Sequence, residues 1–318
     1  MQQQSTNPTE YAVLAVLCGI PIEEAAQQVL TSPARLAEGV ERYRAAGRAA
    51  LQHPHTGWYQ VYVTFADYPS AARAFRTHLL PALSGEDVDA WWFVRKYPCW
   101  RLRVQPAPAV EVEHTITSTQ QALDSAVSWR VVKQWRTSLY EPESIAFGGL
   151  TGMKIAHRLF HADSMGVLTF DQLAERRMDG LLDAKAASLL ILALFLRAAG
   201  LEWGEQGDVW GQVEAKRPLP ANVPIDKVRS MTDSMRKLLT LAPGPLLTDG
   251  PLAPLRDWAQ GMEAAGKSLA DAAEKNCLGL GLRSILARHI IFHWNRLGFS
   301  PDQQAVWSRA AREALLGH

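Results

Sequence analysis

The sixteen residues Trp91–Pro106, WWFVRKYPCWRLRVQP, constrain what this chain can fold into more than any other stretch. DAWWFVRKY and WRLRVQP read as two strands about a turn at Pro98. Three tryptophans argue for a protein interior, yet the same stretch carries four cations. Arg101 and Arg103 stand two apart on one strand, so they share a face. Two guanidiniums side by side repel each other. They are tolerated in solvent, or where a carboxylate or other anion lies between them. The spacing leaves two readings open: the solvated face of an edge strand, or a cleft for an anionic ligand. Trp100 beside them and Trp91–Phe93 nearby move the weight toward the cleft. Arg95 and Lys96 belong either to the same patch or to the turn.

The remaining chain supplies the frame. Residues 8–52 read as helices, with Thr9 as a cap, Gly19 as a stop, and Ser32–Pro33 opening a further helix. They end at the turn-rich HPHTG. WYQVYVTF (Trp58–Phe65) alternates like a strand, PSAARAFRTHLLPAL reads as a helix, and AVSWRVVKQW reads as another strand. TSLYEPE is an irregular exit. From Ser144 onward the pattern is helical, opening after Gly148–Gly149. Ala242–Pro254 reads as a loop, and a long helix lies within Ser268–Gly298. A last helix is capped by Ser300. The expected fold class is α+β: a β-rich core, a helical C-terminal half and a small N-terminal helical extension. The expected division is residues 1–55 and 56–318.

Composition excludes several functions. A net charge of +1 does not suit a protein that coats nucleic acid or an anionic membrane. Cys18, Cys99 and Cys277 are far apart and form no CxxC pair, which argues against a zinc ribbon or thioredoxin-type site. Their odd number, with no visible secretory signal, fits a reducing cytoplasm. The longest apolar run, AASLLILALFL, is too short to span a bilayer. His289 and His293 lie at i and i+4, but Ile290 stands where a zincin needs Glu. His293, Asn295 and Arg296 form a polar cluster near a helix end. His293 is either a satisfied core histidine or a base in a cleft beside arginines. Asp163–Ser164 reads as a helix cap.

Together these stretches resemble the C-terminal domain of lanthipeptide dehydratases of the nisin type, the thiopeptide-type bacteriocin biosynthesis domain. Trp58, WWFVRKYPCWRLR, YEPESIAFGG with AHRLFHADS, and HWNRLG carry the resemblance, in the family's order, over about residues 57–318. The first 55 residues resemble the helical extension of freestanding members.

The resemblance implies an enzyme of ribosomal-peptide modification. In the fused dehydratases, one domain attaches glutamate from glutamyl-tRNA to Ser or Thr of a precursor peptide. The domain resembled here then eliminates glutamate, leaving dehydroalanine or dehydrobutyrine. By motif match, Arg101, Arg103 and His293 are implicated in elimination. Arg95, Trp100, Arg158, Asn295 and Arg296 are the expected substrate-binding set. The implied partners are a leader-bearing precursor peptide and a separate glutamylating subunit. No metal or other cofactor, nucleic acid or membrane is expected.

One departure stands out: Ala146-Phe147-Gly148-Gly149 replaces the Arg-Tyr-Gly-Gly of nisin-type members. Arg158 or Lys154 is then the expected source of the missing charge. The same family also contains thiopeptide pyridine synthases, which join two dehydroalanines in a formal [4+2] cycloaddition and expel the leader. Such an enzyme has no glutamate to hold, so retention of Arg101, Arg103 and His293 favours elimination. A non-catalytic peptide-binding partner of a split dehydratase is the third reading.

Overall fold

The computed structural model of the protein describes residues 8–52, 57–108 and 110–317. The stretch before Pro8 and most of the expected HPHTG turn lie outside them. The chain divides into two compact units, residues 1–57 and 58–318. In the first, α1 (Pro8–Leu17), α2 (Ile22–Gln28) and α3 (Pro33–Gln52) enclose a small core of Ala12, Val13, Ala25, Ala26, Leu36 and Val40. Helix α1 begins at Pro8, so Thr9 lies within it and not before it.

The second unit is built on an antiparallel sheet of order β2-β3-β1-β4. Its strands are β1 (Tyr59–Phe65), β2 (Val88–Lys96), β3 (Cys99–Pro106) and β4 (Val132–Ser138). β2 and β3 form the expected hairpin, turning at Tyr97–Pro98. Period-two alternation sends Val61, Val63, Trp91, Phe93, Trp100, Leu102 and Val104 into the main core. A helical segment over 71–83, comprising α4 (Ala71–Ala74), a wider turn at Phe75–Leu79 and α5 (Leu80–Leu83), covers that face. Its Phe75 ring lies 5.4–5.7 Å from the rings of Trp91, Phe93 and Trp100.

The strand expected over AVSWRVVKQW starts later. Helix α6 (Val112–Ser128) occupies its first residues, and Arg130 turns the chain with φ +59° before β4 begins. Thr, Ser and Val in α6 have modest helix propensity, which hides it in the sequence. Tertiary burial of Thr115, Thr119, Leu123 and Ala126, spaced along one helix face, overrides that preference.

The helical half comprises α7 (Gly149–Glu175), α8 (Ala184–Ala198), α9 (Trp203–Lys216), α10 (Ile225–Thr240), α11 (Pro243–Thr248), α12 (Arg256–Glu274), α13 (Leu282–Leu297) and α14 (Pro301–Leu316). The expected loop at 242–254 therefore contains a short helix. The long helix expected within Ser268–Gly298 is α13, stopped by Gly298 at φ +83°, and the end of α12 precedes it, parted from it where Asn276 takes φ +52°. Ser300 caps α14 as expected, with Gln303 N donating to its Oγ. The fold is α+β, with one small sheet and a predominantly helical remainder.

Helices α7 and α13 close the β2 edge of the sheet. The Phe93 amide donates to Ser164 Oγ at 3.2 Å, and Arg296 Nε donates to the Phe93 carbonyl at 3.0 Å. Exposed strand edges invite unwanted pairing, and these side chains occupy this one.

Candidate active site

The register that buries one sheet face also builds the other. Trp92, Val94 and Lys96 of β2 stand opposite Arg103, Arg101 and Cys99 of β3. Gln60 and Tyr62 of β1 stand opposite the same two arginines. Residues directly opposite share a face. Arg101 and Arg103 therefore point together, away from the core. Their face floors a cavity of about 180 Å³. Phe147, Met153 and Phe160 wall it from one side, and Arg288, Phe292 and Asn295 of α13 from another. Tyr140, Glu141 and Glu143, from the segment after β4, and Arg217 complete the lining. Gly148 lets this segment turn beneath α7: its φ is +85°, and a Cβ there would meet Ile285 Cδ1 at 2.6 Å.

Arg103 is only 7% exposed. Its Nε donates to Gln60 Oε1 at 2.6 Å and its Nη1 to the Arg101 carbonyl at 3.1 Å. The guanidinium stacks 4.1 Å from the Trp92 ring and 5.6 Å from Tyr140. Burial pulls its pKa down to about 10, so it remains cationic at neutral pH. Lys96 is also lowered, by burial and then by repulsion from Arg101 and Arg217. Arg288 is 3.6 Å from Glu143. Among the described residues, Arg101, Arg103, Lys96 and Arg217 form no ion pair with a carboxylate. Cations gathered in a partly desolvated cavity and only partly balanced by carboxylates cost stability. An anionic ligand offsets that cost.

Tyr140 and His157 add an acid–base pair that spacing in the sequence did not single out. The Tyr140 hydroxyl lies 2.7 Å from His157 Nε2. Burial raises the phenol, and burial with Arg103 lowers the imidazole to about 4. Both are neutral near pH 7 and share one hydrogen bond, whose direction follows the His157 tautomer. Both residues lie in the quoted motifs, but their contact joins a loop to a helix and has no sequence period.

The other expected residues are placed differently. Asn295 lines the cavity. Trp100 belongs to the core face and stacks on Phe93 at 4.4 Å. Arg95 is on that opposite face, paired with Asp171. Arg158 and Lys154 are exposed on α7 and are not among the residues lining the cavity.

His293 is 1% exposed and points elsewhere on α13. Its Nδ1 lies 2.8 Å from Asp163 Oδ1 and its Nε2 2.9 Å from Ser188 Oγ. Ser188 also accepts from Trp294 Nε1 at 3.0 Å. An ionised carboxylate only accepts, so the imidazole Nδ1–H donates to Asp163. The connectivity is that of a hydrolytic triad, but every member is sealed in the core. With both ring nitrogens engaged, His293 does not reach the cavity.

Asp163 is no helix cap. It sits mid-way along α7, pairs with Arg296, and accepts from Trp258 Nε1 at 2.8 Å. Gly166 admits that tryptophan: a Cβ there would fall 2.0 Å from its ring. Burial alone would raise the Asp163 carboxyl, but His293 and Arg296 hold it well below the usual carboxylate range. Arg296 is likewise a core residue, not a cavity ligand.

The family model described as "Lantibiotic biosynthesis dehydratase C-term" matches residues 58–315. The chain belongs to the lantibiotic dehydratase C-terminal family. This match begins at Trp58, the first residue of the second unit. Among solved structures, the tRNA dependent lantibiotic dehydratase MibB from Microbispora sp. 107891 is similar, with a TM-score of 0.63 and 17% identity. That match covers 82% of this chain and 28% of MibB, so this family member spans under a third of that dehydratase. The pyridine synthase TbtD from thiomuracin biosynthesis is similar at TM-score 0.59 and 13% identity, over 81% of this chain and 97% of TbtD. TsrL matches at TM-score 0.52 and 17% identity, over 80% of this chain and 93% of its own. At these identities the likeness is one of fold. No curated protein matches the chain in sequence. Among the described residues, no helix is long and apolar enough to cross a membrane, and no cluster of His, Cys, Asp and Glu could hold a metal.

Proposed function

We propose that this family member eliminates glutamate from glutamylated Ser or Thr in a leader-bearing precursor peptide. One observation carries the reading: Arg103 is buried beside Arg101, with no carboxylate partner, in a cavity sized for a small group. The volume is below the roughly 300–1,000 Å³ typical of pockets enclosing drug-sized ligands. A guanidinium fork suits the carboxylates of a glutamyl ester.

The chemistry proceeds as a β-elimination. The Cα proton of the modified residue passes to a base, its electron pair becomes the Cα=Cβ bond, and the Cβ–O bond breaks. Glutamate leaves as a carboxylate carrying both electrons of that bond. Tyr140 and His157 handle the proton: Tyr140 Oη takes it while its own hydroxyl proton moves to His157 Nε2. Arg101 stabilises the negative charge that develops on the substrate and then on the leaving oxygen, while Arg103 holds the glutamyl group in place by its charge. Glutamylation is the task of another domain or subunit, and the leader tethers the substrate.

Mass spectrometry of a leader peptide bearing a glutamyl-Ser ester, incubated with the purified protein, tests this. Release of glutamate with formation of dehydroalanine is the expected result. An unchanged ester overturns the reading.

A second reading, cycloaddition of two dehydroalanines as in a pyridine synthase, is favoured by Ala146 in place of the family's arginine. A leader peptide carrying two dehydroalanines, run in parallel, separates the two. Cyclisation with leader release supports that alternative.

A further inference from the structure

The cavity is not uniformly cationic. Two acids line it beside the basic residues, Glu141 and Glu143. Glu143 already has a partner, Arg288 at 3.6 Å. Glu141 forms no ion pair among the described residues. Exposure differs among these residues. Glu141 is exposed, Arg101 is half-buried, and Arg103 is buried.

A glutamyl ester presents its charges in the same order. Attachment through the α-carboxyl places the ester next to the peptide. The α-ammonium follows one carbon further on, and the γ-carboxylate lies at the far end. A peptide too large for this cavity stays outside, so the ammonium sits nearest the mouth and the carboxylate points inward. A fully cationic cavity would repel the ammonium. An exposed carboxylate accepts it.

Resting on the elimination reading above, we propose that Glu141 receives the α-ammonium of the glutamyl group and Arg103 its γ-carboxylate. Glu141 is thus a specificity residue, selecting an α-aminoacyl diacid over a plain diacid.

The test compares two leader peptides, one with a glutamyl-Ser ester and one with a glutaryl-Ser ester, which lacks only the ammonium. The ammonium also makes glutamate the better leaving group, so the informative quantity is how a substitution changes the ratio of the two rates. A charge-assisted hydrogen bond is worth about 1.5–3 kcal/mol, or roughly 10–100-fold. Glu141→Gln is expected to lower kcat/KM for the glutamyl ester by about that factor while leaving the glutaryl ester within about twofold. Glu141→Asp should restore part of the ratio. Thermal melts confirm folding of both variants.

An unchanged ratio in Glu141→Gln overturns the assignment of Glu141 and leaves elimination standing. No release from either ester by the wild-type protein overturns the elimination reading, and this inference with it.

Discussion

The Arg103 guanidinium lies 4.1 Å from the ring of Trp92, its cross-strand neighbour, largely buried and in no ion pair with a carboxylate among the described residues. A lysine keeps the charge but cannot make both the Gln60 and Arg101 hydrogen bonds while presenting a fork. Arg103→Lys is expected to slow glutamate release about 10–100-fold. Arg103→Gln should abolish release yet leave the melting temperature unchanged or higher, because it removes an uncompensated buried charge. Release assays and thermal melts on the same preparations check both.

Asp163 anchors a buried network that ties α7 to α13 and β2. Asp163→Asn strands the Arg296 charge in the core and should cost about 3–5 kcal/mol in urea unfolding. His293→Ala breaks the same network. It should lower stability while the rate per folded molecule stays within about threefold, the independence expected of a residue remote from the chemistry. A well-folded His293→Ala protein without activity would return that histidine to the catalytic machinery.

His289 is buried with neither ring nitrogen hydrogen-bonded, against Phe147, Phe160 and Phe195. Burial, then the Arg296 charge, lowers its pKa from 6.5 to about 3. The folded pKa lies below the unfolded one, so its contribution is full above 6.5 and declines as pH falls toward 3. The slope is about 1.4 kcal/mol per pH unit. His289→Leu should raise stability near neutral pH by about 1–3 kcal/mol and flatten the acid slope by about 1.4 kcal/mol per pH unit. Urea titrations near pH 7 and near pH 5 measure both effects, with the His157 contribution remaining in each.

Tyr140→Phe removes the hydroxyl that bonds His157 and leaves the ring over Arg103. Proton transfer by a positioned group is worth about 10²–10⁴-fold, so kcat should fall by that order with little change in KM. In the wild-type protein the acid limb should reflect His157. Activity then persists below 6.5 and is lost as pH falls through about 4. A pH–rate profile with its acid limb near 6.5 would contradict this assignment.

The sheet and the arginine pair were legible because alternation is local: residues two apart share a face wherever the strand goes. The same logic left Arg95 ambiguous, since parity across the hairpin depends on where the turn closes, whereas Trp100, one residue from Arg101, falls on the opposite face by alternation itself. The turn closes at Tyr97–Pro98, which puts Arg95 on the core face. His293 and Asp163 misled for another reason. They are 130 positions apart, and only tertiary packing makes one the partner of the other. Helix α6 was hidden because burial, not propensity, stabilises it. Tyr140–His157 was hidden because it joins a loop to a helix.

Single-turnover release of glutamate from a glutamyl-Ser leader peptide, by the wild-type protein and by Arg101→Gln and Arg103→Gln, tests the central claim most directly. Rapid release by the wild type and a loss of roughly 100-fold or more in each variant are expected, the order for removing a preorganised charge from the site. Peptide affinity should be nearly unchanged. Equal rates in all three proteins, or no release by the wild type alongside cyclisation of a bis-dehydroalanine peptide, would contradict it.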